Sequence, residues 1–337
     1  MSDITILGAG GWGLGIAILL NNNGHKVTMW SALENEIEML KKDRENKNSL
    51  PGIKISEDIN LTSNLEQAVK DKDMIIMAVA SSYTRQTAAK LKGLVKENQL
   101  IVNVAKGVEE NTLYTLTEVI KDELPNANVA VLSGPSHAEE VGRGMPTTCV
   151  AGADTKETAE YIQNVFMSNC FRVYISSDVL GIELGGALKN VIALAAGIAD
   201  GLGYGDNTKA ALITRGINEI GRLGVAMGGK IDTFAGLTGI GDLIVTCASM
   251  HSRNRRAGIL IGKGYTMEEA MNEVHMVVEG VYSAKAALAL GKKYNVQLPI
   301  IEKVNEILFE GLDAGQAVSD LMLRNKTVES LGVLWQT

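Results

Sequence analysis

Along the first half of the chain, apolar residues gather into short runs with amphipathic stretches between them. The runs at 4–7, 26–30, 73–79, 99–104, 128–132, 147–151 and 171–175 predict strands, and segments 14–23, 84–95, 113–123 and 156–167 predict helices. Strands that are apolar on both faces and alternate with helices predict a buried, mostly parallel sheet covered by helices. Pro51 and the stretch 52–61 read as a loop or small hairpin inserted into this pattern. After about Ser177 strand signals stop, and runs rich in Ala, Gly, Leu and Met take over. Helices are predicted over 179–201, 207–227, 253–261, 267–272, 282–294, 300–309 and 314–324.

A chain of 337 residues exceeds what one core ordinarily organises, so the change of texture is read as a domain boundary. The halves are 1–176 and 177–337, and the junction at 176–178 has no Pro/Gly/Ser linker, so they should pack closely around a cleft. With 46% apolar and 21% charged residues, the composition supports sizeable cores. The formal charge of −7 argues against nucleic acid as a partner, which would need a broad basic face. Cys149, Cys170 and Cys247 lack metal-ligand spacing and read as reduced core thiols, so no metal is expected. The chain opens directly on a strand-like run without a basic leader, and no segment approaches the ~18 uninterrupted apolar residues of a bilayer span. These features predict a cytoplasmic protein without membrane insertion. The small residues of the helical half leave room for a homodimer.

Gly8-Ala9-Gly10-Gly11-Trp12-Gly13 matches the spacing G-x-G-x-x-G between a strand and an apolar helix. In that setting Gly8 permits a tight turn, Gly10 lets the backbone approach a pyrophosphate, and Gly13 allows close helix–strand packing. Free N–H groups at the helix start, including that of Gly11, would hold the anion. The first half is therefore expected to be a Rossmann-type α/β dinucleotide-binding domain and the second an all-α substrate and catalytic domain. The second strand ends Trp30-Ser31-Ala32 without the carboxylate that usually receives the ribose 2′-hydroxyl of NADH, and no Arg or Lys appears before Lys41. Without an acid to repel a 2′-phosphate, the reading leans slightly to NADPH over NADH.

Four segments set polar groups among small apolar ones. Lys106 follows the strand at 99–104, which places a cation at the sheet's ligand-binding edge, or else makes it a solvated loop lysine. Gly134-Pro135-Ser136-His137 follows another strand, with Ser136 able to donate to a ligand or cap a helix. His137 could exchange protons, although histidines at helix starts are usually structural. Lys189 and Asn190 sit in an almost wholly apolar helix. The lysine either snorkels to solvent or points into the cleft, where burial and Lys106 would depress its pKa. Asp242 is a lone carboxylate in a glycine-rich apolar run, suited to orienting an ammonium or a substrate hydroxyl. Ser252 reads as an N-cap that places Arg253 and Asn254 in a first helical turn, a seat for a phosphate monoester or a solvated basic helix start.

Together the strings GAGGWG, VAKGVE, LSGPSHAEEV, GGALKNVIALAAGIADGLG, TGIGDLIVTC, SRNRR and VVEGVYSA, in this order over nearly the whole chain, resemble the bacterial NAD(P)-dependent glycerol-3-phosphate dehydrogenase family. The resemblance implies reversible reduction of dihydroxyacetone phosphate, a phosphorylated triose, to glycerol 3-phosphate for phospholipid synthesis. It implies that Lys189 is the proton acceptor, and that Lys106, Gly134, Ser136, Asp242, Ser252, Arg253 and Asn254 contact substrate. Trp12, Lys106, Ala138, Arg253, Val277 and Glu279 would lie against the cofactor. Asn190 and Lys106 would stabilise the developing alkoxide. The chain departs from many relatives at 31–33, where Ser31, Ala32 and Leu33 replace a basic or histidine-containing cluster. Two other readings stay open on these residues: a dehydrogenase of 3-hydroxy acids or phosphogluconate, and a cofactor-binding sensor without turnover.

Overall fold

The computed structural model describes residues 1–275, 277–326 and 329, so the last residues of the 177–337 half lie outside the described chain. Eight strands form one sheet: β1 (Asp3–Leu7), β2 (Lys26–Trp30), β3 (Asn60–Thr62), β4 (Met74–Met77), β5 (Leu100–Asn103), β6 (Asn128–Ser133), β7 (Thr147–Gly152) and β8 (Phe171–Ser176). The spatial order is β3-β2-β1-β4-β5-β6-β7-β8. From β3 to β6 every pairing is parallel; β7 then joins antiparallel to β6, and β8 lies parallel to β7. The inner strands carry fully buried residues on both faces, as in Met74–Met77 and Leu100–Asn103, which is why they read as continuous apolar runs.

Part of the stretch expected to be a loop or hairpin is a strand. Its end forms β3, which pairs parallel with β2 through Met29 and Leu61. Three residues on the outer edge, one exposed and two half-buried, give too little apolar patterning to announce themselves. The helix Glu34–Asp43, which the apolar pattern does not predict, buries only Ile37 and Leu40.

The helical half is assembled around Val179–Gly201. This helix starts at Asp178, whose carboxylate accepts from Gly181 N at 3.0 Å and also takes Lys230 N at 2.9 Å. It is long and apolar enough to cross a bilayer, but 83% of its most apolar window is buried inside the protein. One side is a glycine seam against the helix Arg253–Gly262. A Cβ on Gly197 would strike the carbonyl of Arg255, one on Gly258 that of Leu194, and one on Gly262 that of Ile198. Backbones so close leave no room for a side chain, and this contact fixes where the start of Arg253–Gly262 meets the middle of the central helix. Leu184, Leu188, Val191 and Ile192 fill the helical core, which also takes in Val108 from the loop after β5. Cys149 and Cys247 are buried free thiols, whereas Cys170, expected in the core, is only half-buried.

Because no rotamer of valine at position 258 avoids the Leu194 carbonyl, Gly258→Val is expected to cost about 3 kcal/mol or more. Urea unfolding followed by far-UV circular dichroism checks this; a midpoint within error of wild type would contradict the seam.

Candidate active site

At the end of β1 the chain turns through Gly8 with φ +118°, and a Cβ there would lie 2.8 Å from the carbonyl of Ala78. A Cβ on Gly13 would strike the Gly8 carbonyl, so helix Gly11–Asn22 sits directly on the turn. Gly10 differs, since a Cβ there would meet nothing within 4 Å. The helix begins beside that open space with no side-chain cap and no acid in its first turn. Its first N–H groups are thus available to an anion, and the donor set fits a dinucleotide pyrophosphate. Gly11 N belongs to this first turn. Trp12 packs partly buried on the sheet core, and Ala138 lies against the same helix, with its carbonyl 3.3 Å from where a Cβ of Gly15 would be.

The parallel strands deliver the other groups to the same edge. The strand order reverses between β1 and β4, the crevice where such sheets take ligands. Beyond β4 comes Ser81, beyond β5 Lys106, and beyond β6 Gly134 and Ser136, whose hydroxyl donates to Gly134 O at 3.0 Å. The loop carrying Lys106 is held from beneath. Asn103 accepts from Ala105 N and donates to Ala105 O, both at 3.1 Å, and also donates to the buried carboxylate of Glu183 on the central helix at 3.3 Å. Glu183 further accepts from Thr117 N at 2.9 Å and from its hydroxyl at 2.5 Å, while burial pushes its carboxyl pKa up.

Lys189, from the middle of the central helix, is 5% exposed. Its ammonium donates to Asp242 Oδ1 at 2.7 Å and to the Thr246 hydroxyl at 2.5 Å. Lys106 takes the other carboxylate oxygen, Oδ2, at 2.6 Å and donates to Gly134 O at 3.0 Å. Asp242 reaches this point because a π-helical turn, Leu237–Gly241, leads into the helix Asp242–Ala248. That turn can press on the central helix only because position 185 is glycine, where a Cβ would lie 2.5 Å from the Thr238 carbonyl. Burial would raise the carboxyl of Asp242, but the ammoniums of Lys106 and Lys189 outweigh it and hold the carboxyl below its usual range. Lys189 experiences the reverse balance. Desolvation, with Lys106 beside it, overcomes the attraction of Asp242 and brings its pKa down to about 8. Two cations share one anion, which leaves a positive excess for a phosphorylated ligand.

The phosphate-seat candidates gather one layer further along. The Ser252 hydroxyl caps Arg253–Gly262, accepting from Asn254 N at 2.8 Å and Arg255 N at 3.2 Å. Asn254 donates to Asn190 Oδ1 at 2.9 Å and accepts from Gly280 N at 2.8 Å. Both amides are therefore tied to each other, with Asn190 Nδ2 at the limit of reach, 3.5 Å, from Gly186 O. Arg253 is half-buried and its charge is felt at Glu279, whereas Arg255 is taken by Asp200 at 2.7 Å. Glu279 opens the helix Glu279–Lys293 two residues after Val277, and its carboxylate accepts from Ser81 N at 3.1 Å, linking the helical half to the sheet edge. His137 is an N-cap residue, pushed below its usual pKa by burial and then by Lys189. Its Nε2 has no partner among the described residues.

Ser81, Thr246, Asn103 and Glu183 carry no sequence signal, being ordinary polar residues whose partners lie 57 to 198 positions away apart from the local Asn103–Ala105 and Thr246–Asp242 contacts. The end of β2 carries no carboxylate of its own, but one approaches it from the next helix. Glu36 Oε2 accepts from the Ser31 hydroxyl at 2.5 Å, so an acid does lie beside the strand end.

A glycine-turn domain facing a helical domain with a buried lysine is the plan of a nicotinamide-dependent dehydrogenase. Family models for the NAD-dependent glycerol-3-phosphate dehydrogenase N-terminus and C-terminus match residues 3–159 and 178–319. A glycerol-3-phosphate dehydrogenase [NAD(P)+] of Fusobacterium nucleatum is 62% identical over 98% of this chain and 99% of its own. Another, from Agathobacter rectalis, is 61% identical over the full length of both. The crystal structure of glycerol-3-phosphate dehydrogenase from Coxiella burnetii superposes with a TM-score of 0.93 at 36% identity, covering 96% of this chain and 99% of that one. The chain belongs to the NAD-dependent glycerol-3-phosphate dehydrogenase family.

Asp242→Asn would leave two ammoniums in the cleft without a counter-charge. Stability is expected to fall by about 3–5 kcal/mol, read by urea unfolding at low pH, and the loss should shrink as pH rises towards 8, because without the attraction of Asp242 the Lys189 amine sheds its proton below its wild-type pKa of about 8.

Proposed function

We propose that this protein reduces dihydroxyacetone phosphate to glycerol 3-phosphate with NADH or NADPH, reversibly, in the cytoplasm, and so supplies glycerophospholipid synthesis. The reading is carried by one observation: the buried Lys189 ammonium, poised with a pKa of about 8, sits beside Lys106 and Asp242 where the helical half closes on the sheet edge. The division of labour follows the two halves, with 1–176 binding the dinucleotide and 177–337 supplying the proton and much of the substrate site.

The reduced nicotinamide, when bound at the glycine turn, supplies the hydride. Lys189 protonates the ketone oxygen in reduction and takes the proton back in oxidation. Asp242 holds that amine in place and keeps it near neutral poise, while Lys106 stabilises the developing alkoxide, a contribution of about a few kcal/mol for a preorganised charge. The free hydrogen of the Asn190 amide adds a second donor. Arg253, with the N–H groups at the start of its helix and the side chains of Ser252 and Asn254, binds the substrate phosphate. Gly134 and Ser136 border the substrate beside Lys106.

Lys189→Met should lower turnover by a factor of roughly 10³ or more while NADH and NADPH still bind, measured by nicotinamide absorbance and fluorescence titration. Near-normal turnover would sink the assignment. In the wild-type enzyme kcat/KM for reduction should fall as pH rises through about 8, because the donor is lost. Oxidation of glycerol 3-phosphate should fall as pH drops through the same value. Arg253→Ala should chiefly raise the substrate KM, and a kcat defect at unchanged KM would remove Arg253 from the phosphate site.

A further inference from the structure

Resting on the cofactor reading above, the geometry points to Glu36 as the residue that selects NADH over NADPH. In the sheet order β3-β2-β1-β4, the adenosine ribose of a dinucleotide held at Gly8–Gly13 falls at the carboxyl end of β2, beside the glycine turn. Glu36 lies in the first turn of Glu34–Asp43, yet its carboxylate folds back to that strand end. Oε2 accepts from the Ser31 hydroxyl at 2.5 Å, and Ser31 in turn accepts from Leu33 N at 3.2 Å. Oε1 accepts from Asn46 Nδ2 at 3.2 Å, and the same amide nitrogen is 3.5 Å from the carbonyl of Ala9 within the glycine turn. Ser31 and Asn46 are buried, while Glu36 keeps part of its surface open. The carboxylate is therefore fixed between the strand end and the turn, with lone pairs left to accept from a ribose hydroxyl.

A 2′-phosphate at this point would lose that hydrogen bond and meet a fixed negative charge. The nearby bases do not offset it. Arg44 is taken by Glu57 at 2.9 Å and by the carbonyls of Ser56 and Ile59, and Lys41 pairs with Glu38 at the far end of the helix. Lys42 and Lys47, both exposed, are the remaining bases close in sequence, Lys42 in the last turn of the helix away from Glu36 and Lys47 next to Asn46.

Titration of the full-length protein with reduced cofactor, followed by nicotinamide fluorescence without substrate, tests this. NADH should bind about tenfold or more tighter than NADPH in low-salt buffer, and added salt should narrow the gap by relieving repulsion. Glu36→Gln, which keeps the shape and the Ser31 contact, should bring the two affinities within a few-fold, while Lys47→Ala leaves the wild-type ratio unchanged. A ratio near one in the wild type, or one that Glu36→Gln does not move, would reduce Glu36 to a helix-start contact and overturn the inference while leaving the dehydrogenase reading intact. NADPH preference abolished by Lys47→Ala would overturn it as well. Binding of neither cofactor would overturn the cofactor reading and this inference together.

Discussion

The site depends on one buried carboxylate. Asp242 accepts two ammoniums from two different parts of the fold, Lys106 from the sheet edge and Lys189 from the central helix. The buried Lys189 depends on it most, because desolvation of an isolated ammonium costs more than any neutral hydrogen bond returns. The ion triad therefore fixes the relative placement of the two halves and the protonation poise of Lys189 by the same contacts. A second buried carboxylate, Glu183, reinforces it by holding the loop of Lys106 through Asn103.

Charge alone would not hold such an arrangement. The central helix can bring Lys189 and Asn190 to one place only because its other faces are closed by packing that tolerates no adjustment. Glycines at 197, 258 and 262 bring Arg253–Gly262 to backbone contact, and glycine at 185 lets the π-helical turn before Asp242 press in from another side. Close backbone packing thus converts sequence-distant polar groups into a fixed constellation. The Ser252 cap, the Asn254–Asn190 pair and the Glu279–Ser81 link each depend on that seating.

Legibility followed the range of the interactions. The inner strands and long helices could be read because burial on both faces of a strand, or on all sides of a helix, imposes a composition that neighbours in sequence share. The glycine turn is equally readable, since Gly8, Gly10 and Gly13 stand within one six-residue string between a strand and a helix. Short edge elements were not: β3 and the helix Glu34–Asp43 bury too few side chains to leave a period. Glu36 was overlooked for a related reason. Its carboxylate reaches the strand end by folding back from the next helix, and the order of residues along the strand does not show that.

By itself the sequence determined the α/β half and the helical half, the dinucleotide turn, and the residue types that family resemblance joins into one activity. All of these rest on local propensity, on periodic burial, or on strings that stand intact along the chain. Only the tertiary structure decided that Lys189 points inward, that Asp242 serves two lysines at once, and that Glu36 stands at the end of β2. Those outcomes turn on charge and desolvation between groups tens to more than a hundred positions apart, or on a side chain's direction, and neither is written in the order of residues.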